Sequence, residues 1–169
     1  MTRQVLQDSL PALCSFNRLT GLDLSVDSYS DDRSLNLAAL QPLVALKRLD
    51  CRFWGLVELR GGTVLTQLTS LTFFGTKEII VKASLPSLRR LSVYKASRES
   101  MEPIVVDAAL PSLEALHVAY AAKLQVAGEH LQLPQLTQLS LSHVNAAAVD
   151  WPAVHQLAHL CINTECADV

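Results

Sequence analysis

The stretch LPSLEALHV, from Leu110 to Val118, decides the fold, because its apolar residues Leu110, Leu113, Leu116 and Val118 stand at spacings of three, three and two. The same frame carries Leu85, Leu88, Leu91 and Val93 in LPSLRRLSV, and Leu133, Leu136, Leu139 and Leu141 in LPQLTQLSL. Self-similarity of this kind marks a repeat architecture, in which each unit buries its apolar face against its neighbours. The closing alternation Leu116-His117-Val118 is a short strand with one buried face, and the two earlier leucines turn the chain into it. Stacked copies then build a parallel sheet.

Four less regular copies keep the frame: Phe16, Leu19, Leu22 and Leu24; Leu43, Leu46, Leu49 and Cys51; Leu65, Leu68, Leu71 and Phe73; Val154, Leu157, Leu160 and Ile162. Aligned on the last apolar position, seven copies follow one another at intervals of 27, 22, 20, 25, 23 and 21 residues. Helical repeats need roughly 33 residues or more, so ankyrin and tetratricopeptide arrays are excluded, and a strand-based coil remains. Pro86, Pro111 and Pro134 directly follow the first leucine in three copies. Lacking an N–H, proline belongs outside the strand ladder and marks the approach turn.

Short β-like runs lie between the inner strands, at Val57 to Leu59, Ile79 to Val81, Ile104 to Val106 and Leu124 to Val126, and are expected to form the opposite, convex wall. In SLNLAALQPL, Ser34 is the expected helix cap and Pro42 the stop, with one or two helical turns between them. The longer fourth interval places its surplus in KASRESMEP, Lys95 to Pro103, read as a protruding polar loop. The expected architecture is α/β, mostly β: one domain over residues 1–169, with a concave parallel sheet of about seven strands.

LPSLRRLSV and LPSLEALHV resemble the leucine-rich repeats of irregular type found in plant immune receptors, F-box proteins and algal leucine-rich-repeat proteins. The resemblance spans nearly the whole chain and implies a solenoid that recognises a protein partner on its concave face without catalysis. The alternative role is that of a structural or substrate-recognition segment of a multidomain immune receptor or ubiquitin-ligase adaptor. The family's motif carries Asn or Cys three residues after the last apolar position, whereas this chain has Asp27, Trp54, Thr76, Ala96, Ala121, Val144 and Glu165 there. That departure keeps a right-handed parallel β-helix as the alternative fold.

Composition bounds the function. Half the residues are hydrophobic and 18% are charged, so the chain must bury a large core. The formal net charge of −2 argues against nucleic-acid binding, which calls for a basic stripe. No segment has signal-peptide or membrane-span length. Cys14, Cys51, Cys161 and Cys166 form no CxxC pair, and no asparagine starts a glycosylation sequon, so the expected setting is intracellular, in the cytoplasm, with reduced thiols. The first copy begins in mid-pattern and the chain stops seven residues after Ile162. Caps are therefore minimal or the chain is part of a longer array, and self-association through uncapped ends is expected.

No site of chemistry is expected. His155 and His159 have the spacing of a zinc-protease helix, but Gln156 replaces the glutamate and the segment lies in a turn-strand frame. Gly61-Gly62 has neither phosphate-loop nor dinucleotide spacing and reads as a turn. No GxSxG elbow occurs. The expectation is a chain with no enzyme activity, metal or cofactor. Cys51 occupies a core slot, whereas Cys161 faces away from Leu160 and Ile162 and should be accessible.

What remains is the outward face. Strand alternation sends three columns over the concave sheet: Gly21, Arg48, Ser70, Arg90, Ala115, Gln138, His159; Asp23, Asp50, Thr72, Ser92, His117, Ser140, Cys161; and Ser25, Arg52, Phe74, Tyr94, Ala119, Ser142, Asn163. Arg48, Arg52, Phe74, Arg90, Tyr94 and His117 cluster within them, with Phe74 and Tyr94 side by side on strands about 4.8 Å apart. Arginine and aromatic residues dominate interface hot spots, so these six are the expected protein-binding residues. Asp50 is placed to neutralise arginines nearby.

Overall fold

Each coil starts from a tight turn. The N–H of the second frame residue donates to the carbonyl of the first: Leu19 to Phe16 at 2.9 Å, Leu46 to Leu43 at 3.0 Å, Leu68 to Leu65, Leu88 to Leu85 and Leu113 to Leu110 at 3.1 Å, and Leu136 to Leu133 at 3.3 Å. Pro86, Pro111 and Pro134 occupy the second position of such turns, where the fixed φ of proline is already correct. The computed structural model describes residues 15–26, 34–59, 65–95, 104–121, 124–126, 133–144 and 157–163. The loop after Lys95, the Gly61-Gly62 turn, Val154, His155, Cys14 and Cys166 lie outside the described residues.

The turns feed one seven-stranded sheet: β1 (Gly21–Val26), β3 (Arg48–Phe53), β5 (Ser70–Thr76), β7 (Arg90–Lys95), β9 (Ala115–Ala119), β11 (Gln138–Ser142) and β12 (His159–Asn163), in that spatial order. All pairings are parallel, and the register sets Leu24, Cys51, Phe73, Val93, Val118, Leu141 and Ile162 in one row, as the frame requires. A second parallel sheet holds β2 (Ser34–Asn36), β4 (Leu56–Leu59), β6 (Glu78–Val81), β8 (Ile104–Val106) and β10 (Leu124–Val126), ordered β10-β8-β6-β4-β2. The molecule is a β-solenoid: stacked coils with two parallel walls. The short β-like runs of the sequence are the strands of the second wall, with β8 and β10 at the expected bounds.

At the entry to the first sheet, one carbonyl per coil accepts two N–H groups of the next. Thr69 and Ser70 donate to Lys47, Arg89 and Arg90 to Thr69, Glu114 and Ala115 to Arg89, and Thr137 and Gln138 to Glu114, at 2.8–3.1 Å. Side chains reinforce the stacking, since Thr69 Oγ1 donates to the Lys47 carbonyl at 3.0 Å and Ser112 Oγ to the Pro86 carbonyl at 2.7 Å. The core lies between the walls. Leu49, Leu71, Leu91, Leu116 and Leu139 face the row Leu35, Val57, Ile79, Ile104 and Leu124, and all are buried.

Three expectations need correction. Ser34 is not a helix cap but the first residue of β2, a strand missed in the sequence, because the helix-forming run after it masks a three-residue strand. The helix is one 3-10 turn, Leu37–Leu40, capped by Asn36, whose Oδ1 accepts the Ala38 N–H at 2.9 Å. The predicted buried leucine column holds at its centre, but Leu22 is only half-buried and Leu160 is 57% exposed, since each stands on an edge strand of the sheet. Lys95, assigned to a polar loop, ends β7 and is buried, paired in register with Thr76.

The corner after the strands has its own solution. Gly75, Tyr120 and His143 hold φ of 71°, 60° and 56°, the left-handed region that turns the chain toward the second wall. The residues that follow them, Thr76, Ala121 and Val144, are buried at the places where the motif's asparagine would bond neighbouring backbone. Thr76 Oγ1 has no hydrogen-bond partner there. Backbone groups do that work, with Tyr120 N–H donating to the Ser142 carbonyl at 2.9 Å and His143 N–H to that of Asn163 at 2.7 Å.

Candidate functional site

Alternation along β3, β5, β7 and β9 sends every second side chain away from the core, and the parallel register lines these side chains up across the strands. The third outward column then forms a ladder of planar groups. Phe74 and Tyr94 stack with centroids 4.8 Å apart and planes within 6°, at the separation of the strands that carry them. His117, one strand further and one step back along its strand, tilts against Tyr94 at 5.0 Å and 40°. At the other end the Arg52 guanidinium lies 5.3 Å from the Phe74 centroid, a cation–π contact. The rings are half-buried, while Arg52 is exposed.

The six expected residues therefore divide. Arg52, Phe74, Tyr94 and His117 form one continuous ladder. Arg48 is committed elsewhere, its Nε donating to Asp50 Oδ2 at 2.7 Å, and this pairing raises the guanidinium's pKa further. Asp50, expected outward, is nearly buried beneath that contact. Arg90 remains exposed at the start of β7 and leaves the ladder to line a separate depression. Ala119, placed outward in the third column, is also buried, so the column is interrupted after Tyr94.

The depression, about 370 Å³, runs across β7, β9, β11 and β12. Its side chains come from the first two outward columns: Arg90, Ala115, Gln138 and His159 from one, Ser92, His117, Ser140 and Cys161 from the other. Ala115 makes the hollow, because a methyl group stands between the long Arg90 and Gln138. His117 belongs to both features, and burial lowers its imidazole pKa, which favours the neutral ring. The register assigned Gln138 and Ser140 to the outward face, but only the small size of Ala115 marked where they would enclose space.

A second aromatic pair was not anticipated. Tyr120 and His143 stack at 4.8 Å and 11°, both at the positive-φ corner where Gly75 stands in an earlier coil. Nothing in the sequence flags it, since positive φ is uncommon for any residue other than glycine. Cys51 lies in the core, its thiol pushed up to about 12 by burial and then by Asp23, whereas Cys161 is exposed. Among the described residues no group of His, Cys, Asp and Glu could hold a metal ion, and no helix is long and apolar enough to cross a membrane. No family model, curated protein or solved structure matches this chain.

Proposed function

We propose that this chain is a non-catalytic protein-recognition module of the leucine-rich-repeat kind, which binds a protein partner on the outer, concave face of its seven-stranded sheet. The observation that carries the reading is the Arg52-Phe74-Tyr94-His117 ladder, four planar groups in contact on an outward sheet face. Half-buried aromatic rings beside an exposed guanidinium are the composition of interface hot spots, where each strong member contributes about 2 kcal/mol or more. Mutual stacking also pre-orders the rings, so a partner docks on them with little further loss of side-chain entropy. The leucine-rich-repeat assignment is supported by the in-register LxxLxxLxL frame and by coils of 20 to 27 residues.

The test is affinity capture from the source cell with the folded chain and with the Phe74→Ala, Tyr94→Ala double variant, compared partner by partner. Partners lost with the rings, while the variant stays folded and loses stability on the order of one aromatic pair, about 0.5–1.5 kcal/mol, support the reading. Capture that survives the double change puts the binding site elsewhere.

A further inference from the structure

The depression over β7, β9, β11 and β12 differs from the ladder in shape and charge. Among the described residues that line it, Arg90 is the one permanently charged side chain, joined by the imidazoles of His117 and His159 and the polar groups of Gln138 and Ser140, and none is a carboxylate. Two other cations near the entry to the sheet are engaged, Arg48 with Asp50 and Arg89 with Glu114 at 3.2 Å. Arg90 is paired in register with Ala115, whose methyl group leaves open space in the depression beside the longer side chain. Guanidinium and carboxylate match as two parallel charge-assisted hydrogen bonds, the strongest pairing open to such a group.

We propose that this groove is a docking site for an acidic segment of a partner polypeptide, laid across the strands with a Glu or Asp carboxylate on Arg90. The proposal rests on the reading of this sheet face as the protein-binding surface and adds the chemistry of what it takes. Four strands about 4.8 Å apart give a groove floor about 14 Å long, which an extended chain at about 3.3 Å per residue crosses in about four residues. The Ala115 hollow admits a side chain next to the anchored carboxylate, while Gln138 and Ser140 meet backbone amides further along. The neighbouring Phe74 and Tyr94 rings then receive an apolar group of the same partner.

Fluorescence anisotropy with a labelled oligoglutamate peptide and its oligoglutamine counterpart tests this. The intact protein is expected to bind the glutamate peptide and not the glutamine one, with affinity falling as salt rises. Arg90→Gln should weaken binding about tenfold or more, as the loss of one charge-assisted pair requires. Ala115→Leu, which fills the hollow and leaves the charge, should weaken it as well. Arg90→Lys should fall between, keeping the charge and losing the fork. Both positions face outward, so thermal midpoints of the three variants are expected to stay at the wild-type value. Bound peptide should also slow modification of Cys161, read by peptide mapping.

Equal binding of the two peptides, no binding of either, or affinity unmoved by both Arg90→Gln and Ala115→Leu overturns the proposal. The Phe74→Ala, Tyr94→Ala variant separates it from the broader reading. If partner capture is lost with the rings yet untouched by Arg90→Gln and Ala115→Leu, the sheet face is the binding surface and the groove is not its acid site. If glutamate-peptide binding depends on Arg90 while capture ignores the rings, the groove stands and the ladder reading falls.

Discussion

Single residues set the local energetics, and the glycines make the contrast plain. A methyl group added at Gly75 or at Gly21 would meet nothing within 4 Å, so sterics separate neither from alanine. Backbone conformation does separate them, because Gly75 holds φ +71° at the corner. Gly75→Ala should therefore cost about 1–2 kcal/mol, the penalty of placing an L-residue in the left-handed region, while Gly21→Ala, in a strand, should be neutral or stabilising by up to about 1 kcal/mol. Chemical denaturation of the two variants side by side checks this, and equal effects would remove the conformational account. His117 sets a pH dependence. Burial lowers its folded pKa below the unfolded value of 6.5, so between the two the unfolded chain binds more protons. Its contribution is complete above about pH 6.5 and is lost as pH falls through the folded pKa. His117→Gln should flatten that part of a stability profile measured from neutral to mildly acid pH. Cysteine chemistry divides in the same way: a thiol reagent should label Cys161 in the native protein and reach Cys51 only after unfolding, as peptide mapping with and without denaturant would display.

At the scale of elements, strand position along the stack decides how much a leucine contributes. Leu91 and Leu116 occupy interior strands and are buried, so replacing either by Ala should cost about 2–5 kcal/mol. Leu160 belongs to the same row but stands on β12 with 57% of its surface exposed, and Leu160→Ala should cost under about 1 kcal/mol. Equal losses at Leu91 and Leu160 would contradict the edge position of β12. The row itself was legible because strand side chains alternate strictly, so four apolar residues in one frame fix both register and face. The second wall was legible for the same reason where β-branched residues dominate, as in Ile79-Ile80-Val81 and Ile104-Val105-Val106. It failed at Ser34-Leu35-Asn36, where three residues precede a run of helix formers and pairing with β4 outweighs local propensity. For the site, register predicted that Phe74 and Tyr94 would touch. It could not tell that Arg48 would turn to Asp50, two residues along the same strand, since both partners were free to choose other neighbours. The Tyr120-His143 stack was invisible because a strained corner is a product of the whole coil and not of either residue.

The whole molecule is a stack whose two ends are unlike its middle. Among the described residues β1 and β12 each pair on one side only, so each leaves a row of backbone donors and acceptors open along the sheet. On β12 the open edge is also apolar, with Leu160 and Ile162 at 57% and 48% exposure in the rows that Leu139 and Leu141 bury one coil earlier. Such an edge is a template for a further parallel strand with the same alternation, and the strand types that fit it are those this chain repeats. A second copy therefore presents a matching edge in its own β1, and contact between unlike edges is head-to-tail, which does not close on itself. The formal net charge of −2 offers little repulsion against such stacking. The apparent mass by light scattering is expected to rise with concentration and to keep rising without a plateau at a dimer. Leu160→Lys with Ile162→Lys places two charges on the edge and should return the protein to monomer, with little change in thermal midpoint because neither side chain is in the core. Association that persists in the lysine variant would move the contact to another surface, while a wild-type monomer at high concentration would show that neighbouring segments of the chain already cover β12.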